Sequence, residues 1–302
     1  MSPECVVSFE DRLGEGPCWS PEEGRLYWFD IKAGALNWFA PETGESRRRV
    51  LGLRASAAVV CRGGGLVMAT ERGLAHWRPD AEDLRIVQPV ELDAGFRTND
   101  GKIDPKGDFW WSTMDDDGGR RPGRLYRTGP SGDTEGVLDG VHIANTVCFT
   151  ADGRRLFLAD SSVQTIYAYD TADLSHRSVF AHTRGEPATP DGGAVDAEGF
   201  LWNAQWGGFR LVRYAPDGRI DRVVPMPVGQ PTSCAFGGAD LATLFITSAW
   251  DGLPDADRDA QPLAGGLFAF RPGVAGLPLP SFQPTFIDPA PGAPGEESGR
   301  SD

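Results

Sequence analysis

The sequence predicts an all-β fold, a six-bladed β-propeller with a metal site on its central axis. Three observations favour the propeller: six short apolar and aromatic segments recur along the chain, each follows a turn rich in Gly or Asp, and no convincing long amphipathic pattern separates them. The segments centre on Leu26, Leu66, Phe109, Leu156, Leu201 and Leu244. Neighbouring centres lie about 40 to 47 residues apart, which is the period of propeller blades.

A second apolar segment follows each of the six, and turns such as Pro216-Asp217-Gly218 follow most of them. These second segments span 35–39, 73–77, 124–127, 165–169, 211–214 and 266–270. A sandwich or a pair of β-domains is the alternative, but neither predicts six matching units. Radial repetition also protects strand edges. Residues 5–9 precede the first unit, and we expect them to complete the last blade and close the ring.

The predicted domain organisation is a single propeller over residues 1–288, followed by a tail. Residues 289–302 are rich in Pro, Gly, Ser and Glu, a composition that predicts disorder.

Composition excludes several classes of partner. The formal net charge is −14, whereas nucleic acids and anionic membrane surfaces attract basic proteins. No run of eighteen apolar residues is present, so no membrane-spanning helix is expected. The first eleven residues lack a basic region followed by an apolar stretch, so we expect no signal peptide. Five cysteines without paired spacing indicate free thiols, and we expect a cytoplasmic protein.

Unusual polar residues lie just before four candidate inner strands. They are Glu15, Arg97 with Asn99, Asn145, and Asp191. The innermost strand of each propeller blade lines the central channel, so these side chains are expected to meet on the axis. Each taken alone is better interpreted as a turn or capping residue, and Asn99-Asp100-Gly101 is a common turn sequence. Their equivalent positions in several blades favour a common site.

The sequence resembles the gluconolactonase family, which includes regucalcin (senescence marker protein) and bacterial sugar lactonases. The resemblance extends to about residue 270. It rests on ordered motifs at residues 14–17 (Gly-Glu-Gly-Pro), 97–102 (Arg-Thr-Asn-Asp-Gly-Lys), 145, 190–192 (Pro-Asp-Gly), 232–238 and 264–266. It implies a divalent metal held by Glu15, Asn145 and Asp191, with Asn99 beside it and Arg97 binding the substrate.

The residue chemistry agrees with that implied metal set. Two carboxylates and an amide oxygen suit Ca²⁺, Mg²⁺ or Mn²⁺, and they also accept Zn²⁺ or Fe²⁺. Three side-chain ligands leave positions open for water and substrate. The expected function is therefore metal-dependent hydrolysis of a sugar lactone to its aldonic acid, with Asp191 as general base. A metal-bound hydroxide as nucleophile is the competing mechanism.

Two other functions remain open on the same scaffold: a metal-binding regulatory propeller without turnover, and a promiscuous aryl or organophosphate esterase. The sequence contains neither an HExxH nor a GxSxG motif, which argues against zincin and serine-triad chemistry. For Arg97 the alternative role is an ion pair with Asp100 or Asp104 that stabilises a loop. Residues 115–117 (Asp-Asp-Asp) are interpreted as a solvated rim loop. The expected partner is a small sugar lactone, and the expected state is a monomer or weak homo-oligomer.

Overall fold

The computed structural model describes residues 2–79 and 84–287, and these residues form six four-stranded antiparallel sheets arranged as propeller blades. The predicted all-β, six-bladed propeller is confirmed. The predicted tail at 289–302 lies outside the described residues.

Within each blade the strands follow one another outward from the axis. The first blade contains β2 (Gly14–Ser20), β3 (Arg25–Asp30), β4 (Ala35–Ala40) and β5 (Glu45–Val50), and the second contains β6 (Ala55–Val60), β7 (Leu66–Thr70), β8 (Gly73–Trp77) and β9 (Arg85–Pro89). The third contains β10 (Phe96–Ile103), β11 (Phe109–Asp115), β12 (Gly123–Thr128) and β13 (Thr134–Val141).

The fourth blade contains β14 (Ala144–Phe149), β15 (Arg155–Asp160), β16 (Thr165–Asp170) and β17 (Asp173–His182). The fifth contains β18 (Thr189–Val195), β19 (Leu201–Trp206), β20 (Arg210–Tyr214) and β21 (Ile220–Pro225). The sixth contains β22 (Pro231–Gly237), β23 (Thr243–Ser248), β24 (Leu267–Phe270) and β1 (Glu4–Val7). A 3₁₀ turn (Ser161–Val163) and one short helix, α1 (Asp255–Asp259), lie between strands.

The ring closes through the N-terminal strand, as predicted. β1 pairs with β24 in antiparallel register, with Glu4 opposite Ala269 and Val7 opposite Leu267. The sixth blade therefore contains strands from both the N-terminal and the C-terminal parts of the chain. Opening the ring between the first and last blades requires breaking this sheet.

The recurring apolar segments are the second strands of the blades, and the strand before each of them lines the axis. The five predicted site residues lie within these inner strands, whereas the sequence placed them just before the strands. The inner strands begin with Gly, Pro and polar residues, which carry a weak strand signal. We call the face of the ring where the inner strands begin the site face.

Buried aspartates fix the hairpins on the face opposite the site. Asp104 accepts hydrogen bonds from the backbone N–H of Lys106 and Asp108, and from the indole of Trp110 at 3.0 Å. Asp196 makes the corresponding contact with the indole of Trp202 at 2.9 Å, two blades further on. Each aspartate satisfies a tight turn and also anchors a core tryptophan.

A segment after the sixth blade, residues 271–287, crosses the face opposite the site. The backbone N–H of Ala197 donates to the carbonyl of Ala275 at 2.9 Å, and that of Phe282 donates to Val60 at 2.8 Å. The Phe282 side chain is fully buried in a cluster with Ile103 and Trp111. We call this segment the strap, because it connects the fifth, second and third blades. Within the described chain, no helix has the length and apolar character needed to cross a membrane.

Candidate functional site

A β-bulge interrupts every inner strand near the site face. In the first blade Glu15 pairs with Phe29 and Cys18 with Tyr27, so the inner strand carries one extra residue between these pairs. The same single extra residue occurs in the other five blades. A bulge leaves its extra residue outside the regular pairing and turns the local side chains. The candidate site residues lie at four of these bulges.

A chain of hydrogen bonds connects three of the predicted residues. The Asn99 amide nitrogen donates to Asn145 Oδ1 and to the carbonyl of Ala144, each at 2.9 Å. Arg97 Nη1 donates to Asn99 Oδ1 at 2.6 Å. All three side chains are buried. The structure therefore brings together Arg97, Asn99 and Asn145, from the third and fourth blades.

Glu15 and Asp191 are the buried carboxylates of the site. Burial raises the pKa of Asp191 well above its usual range, and the negative charges of Glu15 and Asp100 raise it further. Burial likewise raises the pKa of Glu15, together with the charge of Asp100. Arg97 opposes both shifts. These interactions show that the acidic groups lie within electrostatic reach of one another.

Asp100 is an acidic neighbour that the sequence did not single out. It was interpreted as a turn residue, but its side chain is buried inside the ring. One carboxylate oxygen accepts from the N–H of Val147 at 2.8 Å and the other from Gly101 at 2.8 Å. Asp100 therefore bridges the third and fourth blades and adds negative charge beside Glu15.

Lys102 is a second residue missed by sequence reasoning. Its ammonium reaches from the third blade to the fifth and donates to the carbonyl of Gly193 at 2.8 Å. It also lowers the pKa of Glu15, though less than Arg97 does. The Arg-Thr-Asn-Asp-Gly-Lys motif therefore supplies two cations and one anion to the axis. Alternation of side-chain direction along a strand suggests which of these residues point inward, but the bulge prevents a firm assignment from sequence.

The Asn145 amide is held in one orientation. Its nitrogen donates to Ser161 Oγ at 2.9 Å, and Ser161 Oγ in turn donates to the carbonyl of Pro190 at 2.6 Å. Because the nitrogen is engaged in this way, the amide oxygen remains as the acceptor on the side of Asn99. That oxygen retains a second lone pair available to a metal ion.

Thr146 stores backbone strain next to Asn145. Its φ of 56° is in the left-handed region, which β-branched residues rarely adopt. Its hydroxyl donates to the carbonyl of Asp191, and the Asn203 amide donates to that same carbonyl at 2.9 Å. The strained residue thus fixes the backbone of Asp191 relative to the fourth blade.

Arg97 has a different ion-pair partner from those predicted. Its Nε donates to Asp116 Oδ1 at 2.8 Å, whereas Asp100 and Asp104 were the expected candidates. Residues 115–117 were interpreted as a solvated loop, but Asp116 is partly buried there. Burial alone would raise the pKa of Asp116, yet hydrogen bonds and charges from Lys32, Arg97 and Arg54 lower it to about 2.

The donor set suits an ion that prefers oxygen. Among the described residues there is no cluster of three or more His, Cys, Asp or Glu side chains arranged to hold a metal. The predicted set differs from such a cluster because one of its three members is an amide. Two buried carboxylates with an oriented amide oxygen fit a hard divalent cation.

The fold and the site define a six-bladed propeller with acidic and amide side chains converging on its axis. The chain belongs to the SMP-30/gluconolactonase/LRE-like family, whose model matches residues 13–250. This confirms the resemblance inferred from the motifs. The family contains both lactonases and regucalcins, as the relatives show.

Two relatives match nearly the whole chain. Pentonolactonase XacC of Haloferax volcanii is 36% identical over 284 residues, covering 90% of this chain and 95% of that protein. Regucalcin of Oryctolagus cuniculus is 31% identical over 293 residues, covering 92% of this chain and 97% of that protein. Among solved structures, a regucalcin from Agrobacterium tumefaciens, described as a calcium-binding protein, superimposes with a TM-score of 0.88 at 28% identity, covering 93% of this chain and 97% of that one.

Proposed function

We propose that this protein is a hydrolase that opens a sugar lactone to the aldonic acid, using one divalent cation held by Glu15, Asn145 and Asp191. The named activity of pentonolactonase XacC supports the reaction class. The calcium-binding description of the Agrobacterium regucalcin supports a divalent cation.

The observation that carries this proposal is the pair of buried carboxylates on the axis. Among the described residues, neither Glu15 nor Asp191 forms a close ion pair, and Arg97 and Lys102 act on Glu15 only through longer-range charge. Burying two carboxylates near each other without a directly paired cation is costly. A divalent cation between them would offset that cost, and the oriented Asn145 oxygen would complete a three-ligand set.

When bound, the cation supplies a Lewis acid for the lactone carbonyl oxygen. Asp191 serves as general base, because a carboxylate can ligate through one oxygen and accept a proton from water through the other, and its backbone is fixed by Thr146 and Asn203. Asp191 takes a proton from water while the water oxygen bonds to the carbonyl carbon. The ring C–O bond then breaks, and the proton returns from Asp191 to the departing alkoxide. The products are a hydroxyl group and a carboxylic acid, which ionises in solution.

Arg97 is assigned to substrate binding. Two of its nitrogens contact Asp116, Thr98 and Asn99, and among the described residues Nη2 makes no hydrogen bond. A guanidinium N–H there can donate to a sugar hydroxyl or to the developing carboxylate. Asn99 has already donated both amide hydrogens to the protein, so it positions Arg97 and Asn145. Its Oδ1 remains an acceptor for a sugar hydroxyl.

The test is acid release from a panel of substrates by the purified chain, before and after chelation. The panel holds aldono-1,4- and 1,5-lactones, an aryl ester and an organophosphate. We expect turnover of a sugar lactone that chelator abolishes and a divalent cation restores. Faster turnover of the aryl ester or organophosphate would favour the promiscuous esterase, and lactone turnover that chelator leaves intact would contradict the metal-dependent mechanism.

Cation binding without turnover of any substrate is the second candidate function. It is favoured by the structural likeness to a regucalcin described as calcium-binding. Calorimetric binding of Ca²⁺ at one site, together with no acid release from the whole panel, would establish it in place of hydrolysis.

A further inference from the structure

Three cations converge on one carboxylate beside the axial site. Asp116 Oδ1 accepts from Lys32 Nζ at 2.7 Å and from Arg97 Nε at 2.8 Å, and its Oδ2 accepts from Arg54 Nη1 at 2.8 Å. Lys32 lies in the turn after β3, and Arg54 directly precedes β6. We call Lys32, Arg54 and Arg97 the cationic cradle, because one residue from each of the first three blades contributes to it.

Asp116 is surrounded by more cations than one carboxylate usually gathers. Arg54 also pairs with Glu71 at 2.8 Å, so three cations share two carboxylates in direct ion pairs, and the charge of Glu15 acts on Arg97 at longer range. This occurs in a chain with a net charge of −14. A loop could be fixed by one ion pair, which is worth little at a partly exposed position. Three cations around one anion make a binding position for negatively charged oxygen atoms.

The cradle is continuous with the proposed catalytic site. Arg97 belongs to both, since its Nε contacts Asp116 and its Nη1 contacts Asn99, which holds Asn145. The side chains of Lys32, Arg54 and Asp116 remain 20% to 30% exposed, so solvent reaches this position from the site face. A substrate bound at the axis can therefore extend a substituent toward it.

Asp116 directly follows β11, in the turn that leads to β12. The β11–β12 hairpin turn contains Gly118 and Gly119, both with positive φ. Glycine loses little on changing conformation at such positions. The backbone N–H of Asp116 donates to the carbonyl of Gly95 at 2.9 Å, so release of the cations by Asp116 is a movement of its side chain, while Arg54 directly precedes β6 and Arg97 lies in β10.

We propose that the cradle binds an anionic substituent of the substrate, and that Asp116 occupies the place of this substituent in its absence. The inference rests on the proposed lactonase function and narrows its substrate class. The substrate is a sugar lactone bearing a carboxylate, or another oxyanion, at the end remote from the lactone carbonyl. The anion takes the hydrogen bonds of Lys32 and Arg54 that Asp116 releases.

The experiment compares kcat/KM for three lactones that share one ring. The first is neutral glucono-1,5-lactone, the second carries a carboxylate at the terminal carbon, and the third carries a phosphate ester there. We expect at least one anionic lactone to be preferred over the neutral one. Arg54→Met and Lys32→Met should each lower the ratio of anionic to neutral kcat/KM by about 10- to 100-fold, as loss of a charged hydrogen bond predicts.

The matched control is Arg210→Met. Arg210 lies in the fifth blade with 26% of its side chain exposed, against 30% for Arg54, and it is also paired to a carboxylate, Glu186. The ratio should stay at the wild-type value in this variant. Asp116→Asn should raise the ratio, because the internal competitor of the substrate anion is neutralised.

A purely structural cradle gives different results. It predicts that Arg54→Met, Lys32→Met and Asp116→Asn lower the melting temperature and leave the ratio unchanged, and that outcome would overturn the proposal. If Arg54→Met does not fold, the ratio measured for Lys32→Met tests the proposal alone, because Lys32 lies in a turn where substitution disturbs the fold less. Wild-type turnover of the neutral lactone with no anionic preference would refute the cradle while leaving the lactonase intact. No turnover of these three lactones by a chain that opens another aldonolactone would refute the cradle alone, and no turnover of any aldonolactone in the panel would refute both.

Discussion

Two buried carboxylates, Glu15 and Asp191, distinguish the axial channel from an ordinary packed propeller core. Sequence motifs singled out both residues as candidates, because each stands in a short Gly- and Pro-rich signature at the start of an inner strand. The sequence did not indicate the buried positions of Asp100 and Lys102, because the neighbouring Asn-Asp-Gly sequence is also a frequent surface turn. Only assembly of the ring buries that segment, so local sequence carries no signal of its burial.

Replacement of Asp191 by Asn tests its two proposed roles. Asn retains the size and the contact with the Gly192 N–H, but it is neither a base nor an anionic ligand. We expect lactone turnover to fall by about 10²- to 10⁴-fold, together with weakened cation binding and little change in melting temperature. Asp217→Asn, at an exposed turn, is the control and should match wild type. Near-wild-type turnover by Asp191→Asn would remove it from catalysis.

The metal-free protein should lose stability as pH rises. Burial and the charge of Asp100 raise the Glu15 pKa from 4.5 to about 8. A folded-state pKa above the unfolded value means that the protonated carboxyl stabilises the fold, and this contribution disappears as pH rises from about 4.5 to about 8. Thermal melts of chelated protein across that range should show a falling melting temperature.

A saturating divalent cation should reduce this fall, because it stabilises the ionised carboxylates. Glu15→Gln has no such proton to lose, so its metal-free melting temperature should fall less than that of wild type. Parallel curves for the two proteins would show that Glu15 ionises normally in the folded state.

The bulged inner strands are the elements that build the site. Their existence was predicted, but their first residues were not, because β-propensity is low for Gly, Pro and polar residues. In β2, Gly16 has a φ of 59°, and a Cβ there would lie 2.1 Å from the Ser56 carbonyl oxygen. The bulge therefore requires glycine for two reasons: the positive φ, and the close approach of the first two blades.

Gly16→Ala should displace Glu15 as well as destabilise the fold. Gly24 is a matched control, with a φ of 62° and no atom within 4 Å of the position that a Cβ would take. Gly24→Ala should cost about 1 kcal/mol for the positive φ alone. Gly16→Ala should cost more and also weaken cation binding, as measured by denaturant unfolding and calorimetry. Equal costs and unaltered cation affinity would show that the bulge tolerates the side chain.

The whole molecule combines a predicted ring with an unpredicted strap. The six repeated units were predicted from hydrophobic periodicity, and the N-terminal closure from the segment 5–9 that precedes the first unit. Residues 271–287 lack the alternating pattern of a strand and fold against the ring through irregular backbone contacts, so periodicity could not place them. Burial of Phe282 beneath the second and third blades makes the strap part of the core.

Phe282→Ala should lower the free energy of unfolding by about 3–5 kcal/mol, because a fully buried aromatic ring is lost. Leu279→Ala, in the same strap but 50% exposed, should change it by no more than about 0.5 kcal/mol. Denaturant unfolding measures both. A small effect of Phe282→Ala would mean that the strap contributes little to propeller stability.

The most direct test of a cation-dependent lactonase is titration of metal-depleted protein with one divalent cation while acid release from its sugar lactone is followed. We predict negligible activity at zero cation, a rise to a plateau at one equivalent per chain, and no recovery at any ratio for Asp191→Asn. Full lactone turnover by the metal-depleted chain, or by Asp191→Asn, would contradict the proposed cation-dependent mechanism.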